Sequence, residues 1–232
     1  MNIMKTFEDR LKNVKLIAFD LDNTLYDETM YFNHSFKIIT QYLENEFNID
    51  PKKSGKSLWK ILRKNGKHYH RLFDDLLIEY KVEPKNLQNL LYLFKSVNKK
   101  LFLFPNVRNL LRELKKRYQL SMITSGMHEV QKNKIKLLNI QNFFDPVIYS
   151  SLLKKDKPDQ IPFRELMKLT KINAEDIVYV GDNPFDDFIA PNNLGILTIR
   201  VYNSDFKNIK IKEQNDAKIK LENIIDMKKI FL

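Results

Sequence analysis

The chain has 232 residues, of which 43% are hydrophobic, and it carries a net charge of +11 and no cysteine. That hydrophobic share can bury a sizeable core, in one α/β domain or in a core with a modest second domain. The absence of cysteine excludes disulfides and thiolate metal sites and fits a reducing compartment. No run reaches the ~20 apolar residues of a membrane span, and residues 1–15 lack the apolar core of a signal peptide. We therefore expect a soluble, cytoplasmic protein.

The basic charge is spread along the chain, from residue 5 to residue 229, and alternates with acidic residues. Nucleic-acid binding requires a clustered basic patch. We therefore expect no nucleic-acid partner and no membrane partner, and we interpret the charge as help in recruiting an anionic substrate. The sequence does not indicate which oligomeric state the protein adopts.

The first predicted strand spans residues 14–20 and is followed at once by acidic residues. It is β-branched and apolar, with Lys15 as the only charge before Asp20. Such a run is typical of a buried parallel strand, and ligands of open α/β sheets bind beyond the carboxyl ends of the strands. Residues two apart on a strand share a side, so Asp20 and Asp22 are predicted to face one site. The alternative is an acidic turn, because Asp and Asn are common turn residues.

Two carboxylates at this spacing suit a particular chemistry. Their like charges repel, and a divalent cation such as Mg²⁺, which prefers oxygen ligands, relieves the repulsion. One carboxylate can attack phosphorus to form an aspartyl-phosphate, while its neighbour acts first as general acid and then as general base. Thr24 and the backbone N–H groups of the turn can hold phosphate oxygens.

The next eighty residues contain no credible strand and are predicted to form a helical bundle. The predicted helices span residues 29–47, 56–64, 69–80 and 86–100. Tyr26 is predicted to pack in the core of this insert. A basic stretch surrounds Trp59, and it is either an anion-binding face or a solvated helix face.

Strands and helices alternate through the rest of the chain, which predicts a doubly wound parallel sheet. The predicted strands span residues 119–124, 146–149, 176–180, 196–201 and 217–220. The predicted helices span residues 107–118, 130–138, 161–170 and 221–230, with at most a short helix between Pro184 and Pro191.

Three segments of this second part add polar residues at the ends of strands or the starts of helices. Thr124, Ser125 and Gly126 follow one strand, and a small hydroxyl before glycine lets backbone N–H groups approach an anion. Lys157 precedes a helix, and its ammonium group can offset negative charge. The segment 181–187 follows another strand and holds three acids. Because the chain has only five glycines, Gly126 and Gly181 are predicted to need glycine's backbone freedom.

In this order, the four segments resemble the motifs of the haloacid dehalogenase (HAD) superfamily, on its phosphatase side. Residues 20–24 match the first motif, Thr124-Ser125 the second, Lys157-Pro158 the third, and Gly181-Asp182 with Asp187 the fourth. The resemblance covers nearly the whole chain and implies a Rossmann-like core of residues 1–26 and 104–232. Residues 27–103 would then be an inserted helical cap that closes over the site.

The resemblance also implies a role for each matched residue. Asp20 is the nucleophile, Asp22 is the general acid and base, and Lys157 stabilises the transferring phosphoryl group. The implied phosphate-binding residues are Thr24, Thr124, Ser125, Gly126 and Lys157.

Mg²⁺ is the implied cofactor, held by Asp20, Asp182 and the backbone carbonyl of Asp22. Asp187 would orient the metal's water or Lys157. Asp186 stands beside it, where many members carry Asn.

By resemblance, the expected function is Mg²⁺-dependent hydrolysis of a small phosphorylated metabolite. The substrates of members with this layout include sugar phosphates, nucleotide 5′-monophosphates and acylneuraminate phosphates. The dehalogenases of the superfamily lack the second acid that Asp22 provides, so dehalogenation is not expected. Two alternatives stay open: a phosphomutase with the same motifs, and a non-catalytic module that binds a phosphorylated ligand.

Overall fold

The computed structural model describes residues 7–67, 69–202 and 206–232. Within these ranges six strands form one sheet in the order β3-β2-β1-β4-β5-β6, and each neighbouring pair is parallel. The strands are β1 (Leu16–Phe19), β2 (Gln119–Thr124), β3 (Val147–Tyr149), β4 (Ile177–Gly181), β5 (Leu197–Val201) and β6 (Ile219–Leu221). β1 lies between β2 and β4, so the strand order reverses there, and parallel α/β sheets bind ligands at such a switch point. The predicted doubly wound parallel sheet is confirmed.

Ten α-helices lie in the described part of the chain. They are α1 (Phe7–Lys12), α2 (Thr29–Phe47), α3 (Pro51–Asn65), α4 (Leu72–Glu79), α5 (Leu87–Lys95), α6 (Val107–Lys115), α7 (His128–Leu138), α8 (Ile161–Thr170), α9 (Ile189–Leu194) and α10 (Lys228–Phe231). None of the helices in the described ranges combines the length and the apolar character that a membrane crossing requires.

The predicted C-terminal helix over residues 221–230 is wrong. Leu221 belongs to β6, and a 3₁₀ turn over Ile224–Met227 precedes the short α10. The side chain of Asn223 accepts the N–H of Ile225 at 3.0 Å, and Asp226 accepts the N–H of Asn223 at 3.2 Å. This capping box forces a new helix start at Asn223, so the helix cannot begin at residue 221.

The chain divides into two compact units, of which the first contains the sheet. Unit 1 comprises Met1–Asp27, Phe102–Gln131 and Leu138–Leu232. Its core is built from buried side chains of the central strands packed against α8 and α9, among them Leu16, Ile123, Phe163, Leu166 and Tyr179. Near-continuous burial of β1, β2, β4 and β5 follows from helices covering the sheet.

Unit 2 is helical and comprises Glu28–Leu101 and Lys132–Leu137. The six residues of α7 in this unit differ from the predicted division, which put all of residues 104–232 in the core. Aromatic rings fill its interior, and Trp59 packs edge-on against Phe36 with ring centroids 5.1 Å apart. Trp59 therefore contributes to the packing of unit 2, while the basic side chains of α3 are exposed.

Two helix boundaries in unit 2 differ from the prediction because side chains cap the helix ends. α3 begins at Pro51, five residues early, because the Asp50 side chain accepts the N–H of Lys53 at 2.7 Å and Pro suits the first helical position. α5 ends at Lys95, not at residue 100, because the Asn133 side chain donates to the Lys95 carbonyl at 3.2 Å. That amide replaces the N–H group a continuing helix would supply.

Candidate active site

The first acidic segment leaves the sheet as a tight turn, so the predicted strand over residues 14–20 is too long. β1 ends at Phe19, and the N–H of Asp20 still donates to the carbonyl of Val180 at 2.8 Å. Asn23 then adopts the left-handed conformation with φ of 58°. Strand alternation therefore does not orient the two acids, because Asp20 and Asp22 both lie beyond the strand. The turn leaves Asp20 buried and Asp22 half-buried.

Three buried carboxylates meet at the carboxyl ends of β1 and β4. One oxygen each from Asp20, Asp182 and Asp187 lies within 4.8 Å of the others. The hydroxyl of Thr24 lies 3.2 Å from Asp20 Oδ2 and 3.4 Å from Asp182 Oδ1. Clustered carboxylate oxygens are ligands that a hard cation such as Mg²⁺ prefers, so the residues present fit this ion.

Lys157 supplies the positive charge of this cluster from the start of the α8 segment. Its Nζ donates to Asp20 Oδ1 and to Asp187 Oδ1, each at 2.6 Å, and to the Tyr179 hydroxyl at 2.9 Å. Burial lowers the pKa of Lys157, but the charges of Asp187 and Asp20 outweigh it and hold that pKa well above its usual 10.5. Lys157 therefore stays protonated.

The carboxyl group of Asp20 has a raised proton affinity. Burial raises its pKa from 3.8 to about 7, with smaller upward contributions from Asp187 and Asp22, against the opposing charge of Lys157. Protein groups alone thus leave Asp20 partly protonated at neutral pH. A cation beside the carboxylate favours its charged form, which is the form that can attack phosphorus.

Both carboxylate oxygens of Asp187 accept hydrogen bonds, and these hold the fourth segment in place. Oδ1 accepts from Lys157 and from the Tyr179 hydroxyl at 3.0 Å, and Oδ2 accepts the N–H groups of Asp182 at 3.1 Å and Asn183 at 2.9 Å. Four hydrogen-bond donors occupy the two carboxylate oxygens of Asp187. This arrangement fits a role in orienting Lys157 better than a role as a metal ligand. Asp186 instead accepts from the Asn183 side chain at 2.6 Å and lies outside the three-acid cluster.

The reason for glycine at position 181 is space, and the predicted need for backbone freedom there is wrong. An added Cβ would stand 2.6 Å from Asp187 Cγ, although the backbone of Gly181 does not require a positive φ. At Gly126, with φ of +104°, the predicted need for backbone freedom does hold.

We expect Gly181→Ala to lower the free energy of unfolding by about 1 to 3 kcal/mol, because the new methyl group displaces Asp187. Urea unfolding measures this, and the loss of activity should be larger than the loss of folded protein explains. The matched control is Gly55→Ala inside α3, where the new Cβ meets only Thr40 Cγ2 at 3.7 Å. That control should gain up to about 1 kcal/mol. Equal changes in the free energy of unfolding of the two variants would contradict the steric explanation.

The second segment forms the loop between β2 and α7. Thr124 is buried at the end of β2, and Ser125 and Gly126 form the bend before α7. The Ser150 hydroxyl lies 3.1 Å from both the Thr124 carbonyl and Ser125 Oγ. The loop is therefore attached to the end of β3, which holds its backbone N–H groups in place.

Three functional-site neighbours are absent from the sequence prediction. The prediction that Tyr26 packs in the insert is wrong, because Tyr26 is buried in unit 1 and its hydroxyl donates to Asp22 Oδ1 at 2.6 Å. Gln131 Nε2 donates to Asp22 Oδ2 at 2.7 Å. Tyr179 on β4 contacts Lys157 and Asp187. Only the spacing of Tyr26, four residues after Asp22, could have indicated such a contact.

A family model described as haloacid dehalogenase-like hydrolase matches residues 17–201, well over half of the chain. The chain therefore belongs to the haloacid dehalogenase-like hydrolase family. A 2-haloacid dehalogenase from Pseudomonas syringae superposes with a TM-score of 0.67 at 21% identity, covering 94% of this chain and 97% of that one. A HAD phosphatase from Thermococcus onnurineus gives 0.67 at 19% identity, with the same coverage. These two similarities show the fold alone.

Relatives in sequence are more specific. A glyceraldehyde 3-phosphate phosphatase from Methanocaldococcus jannaschii is 31% identical over 222 residues, which cover 93% of this chain and 97% of the relative. The N-acylneuraminate-9-phosphatase of Homo sapiens is 24% identical over 201 residues, covering 80% and 81%. The family and these relatives together support a hydrolase that acts on phosphoric monoesters.

Proposed function

We propose that this protein is a Mg²⁺-dependent phosphatase of a small phosphorylated metabolite, working through an aspartyl-phosphate on Asp20. The observation that carries the proposal is the buried contact of Asp20 with Lys157 at 2.6 Å, inside a cluster of three carboxylates. A binding module needs no carboxyl group whose pKa is raised to about 7 beside a buried lysine. This arrangement favours catalysis over simple binding.

The reaction uses two carboxylates in sequence. A carboxylate oxygen of Asp20 attacks phosphorus, and the bond from phosphorus to the alcohol oxygen breaks as Asp22 gives that oxygen a proton. Asp22 then takes a proton from water, which attacks the aspartyl-phosphate and releases phosphate and free Asp20. Lys157 and the Thr124 hydroxyl offset the charge that spreads over the phosphoryl oxygens.

Asp20 and Asp182, with the backbone carbonyl of Asp22, are the groups we propose to hold Mg²⁺. When bound, Mg²⁺ supplies positive charge to the phosphoryl oxygens and keeps Asp20 ionised. Asp187 keeps Lys157 and the loop of Asp182 in place.

We propose a short sugar phosphate or a related phosphorylated carbonyl compound as the substrate. The support is the full-length similarity to a glyceraldehyde 3-phosphate phosphatase, together with the weaker similarity to an N-acylneuraminate-9-phosphatase. We also propose that unit 2 is a cap that excludes water during the reaction and selects the substrate. A cytoplasmic location fits such a metabolite.

The test is phosphate release from a panel of triose phosphates, hexose phosphates, nucleotide 5′-monophosphates and sugar-acid phosphates, each with Mg²⁺ and with EDTA. We expect release from one class only, and its loss in EDTA, because the carboxylates then lack their cation. Turnover that depends on an added bisphosphate and yields an isomer would instead indicate a phosphomutase. No turnover of any compound by folded protein would contradict the proposal.

A further inference from the structure

We propose that Gln131 is a positioning residue whose side-chain amide aligns both the general acid Asp22 and the phosphate-binding hydroxyl of Thr124. The inference rests on the proposed function and extends it to a residue outside the four segments. Gln131 is only 2% exposed, so its amide is withdrawn from water and depends on protein partners.

The amide nitrogen of Gln131 contacts both groups. Nε2 donates to Asp22 Oδ2 at 2.7 Å and to Thr124 Oγ1 at 2.5 Å. A carboxamide nitrogen carries two hydrogens, so one nitrogen can serve both acceptors at once. Asp22 and Thr124 are 102 residues apart, and this amide is a direct link between them.

The backbone places Gln131 where it can make this link. Its N–H donates to the Met127 carbonyl at 3.0 Å in the first turn of α7. Gly126 bends the chain with φ of +104°, and a Cβ there would lie 3.9 Å from Gln131 Cδ, so the side chain passes closely beneath the bend. The position of the amide is therefore set by the same loop that carries Thr124.

Two consequences follow for the chemistry. Because Thr124 Oγ1 accepts from Gln131, its own hydrogen points elsewhere and can be donated to a phosphoryl oxygen. Asp22 is held from both sides, by Gln131 on Oδ2 and by the Tyr26 hydroxyl on Oδ1 at 2.6 Å. A carboxyl group fixed in this way delivers its proton in one direction, toward the alcohol oxygen as the phosphorus–oxygen bond breaks.

The test compares kcat/KM for two kinds of phosphate monoester in Gln131→Met, which keeps the length of the side chain and removes its donors. An alkyl phosphate needs a proton on its departing oxygen, whereas p-nitrophenyl phosphate releases a stable anion. We expect kcat/KM to fall about 10- to 100-fold for the alkyl ester and clearly less for the aryl ester. The loss for the alkyl ester should lie mainly in kcat.

Two further variants keep the test decisive. Tyr26→Phe removes the second donor to Asp22 without altering α7. It should likewise lose more kcat/KM for the alkyl ester than for the aryl ester, even if Gln131→Met folds poorly. Lys132→Met, on the exposed part of α7, should match the wild type on both esters. Equal losses on both esters in Gln131→Met and Tyr26→Phe would overturn the inference while leaving the phosphatase intact. Inactivity of the wild type on every ester would contradict the proposed function itself.

Discussion

Asp20→Asn is expected to abolish phosphate release, by about 10⁴-fold or more, while the protein remains folded. The amide cannot attack phosphorus, so no aspartyl-phosphate forms. The measurement is steady-state turnover of the substrate that the panel identifies, with Mg²⁺ present. Trapping of a phosphorylated protein in the wild type and its absence in the variant checks the same step. Full activity of Asp20→Asn would refute the mechanism.

The same variant should change how stability depends on pH in the absence of a divalent cation. The pKa of Asp20 is about 7 in the folded protein against 3.8 as its usual value, so the folded state holds this proton more tightly. That contribution to stability is present below about pH 4 and is lost as the pH rises through 7. In EDTA at pH 8, Asp20→Asn should therefore be more stable than the wild type by roughly 1 to 3 kcal/mol.

The contrast variant is Asp187→Asn, which alters an acid of the same cluster whose oxygens accept four hydrogen bonds. It should lose stability at both pH 6 and pH 8, since it disturbs those bonds. Urea unfolding in EDTA at these two pH values separates the cases. If the stability of the wild type relative to Asp20→Asn did not fall between pH 6 and pH 8, this would contradict the raised pKa of Asp20.

Lys157→Met is expected to be costly in both stability and activity. The lysine side chain is 4% exposed and contacts two buried carboxylates. Removing one partner of a buried pair costs about 3 to 5 kcal/mol, because the remaining charge is left uncompensated. Activity should fall about 10²- to 10³-fold or more, since a cation is lost from the phosphoryl oxygens. Urea unfolding and turnover measure the two effects.

Two controls distinguish the roles of this charge. Lys134, also 4% exposed, pairs with Glu28 at 3.0 Å within unit 2. Lys134→Met should also lose stability, although less because Lys67 lies 3.5 Å from Glu28, while its folded fraction keeps its turnover. Adding Asp20→Asn to Lys157→Met should restore more stability than Asp20→Asn adds to the wild type, because it removes a carboxylate that has lost its cation. A simple sum of the two effects would show that Asp20 and Lys157 are not coupled.

The elements that the sequence predicted best are those with strong periodicity and clear ends. β2 over Gln119–Thr124, α2 over Thr29–Phe47 and α8 over Ile161–Thr170 have the predicted bounds. Side-chain capping explains the errors at the start of α3, the end of α5 and the C-terminal helix. Asp50 before Pro51 is an N-cap signal that was available, whereas the capping box at Asn223 competes with an apolar helical pattern.

The charged and hydroxyl-bearing residues at the strand ends, and their order, can be read directly from the sequence. Parallel strands bring their carboxyl ends to one edge of the sheet, which predicts that the acids following β1 and β4 lie close together. That Lys157 joins them is implied by the resemblance to the HAD motifs. The structure brings these four residues into one buried cluster.

The hydrogen-bond partners and the electrostatics of that cluster depend on the tertiary structure. Gln131 reaches Asp22 across 109 residues, and Lys157 reaches Asp20 across 137. Such contacts depend on strand register and on where a helix starts, which no local pattern encodes. The pKa of Asp20 likewise depends on how much water the fold removes, because burial is the largest cause of its shift. A carboxylate's identity is local, but its proton affinity is a property of everything packed around it.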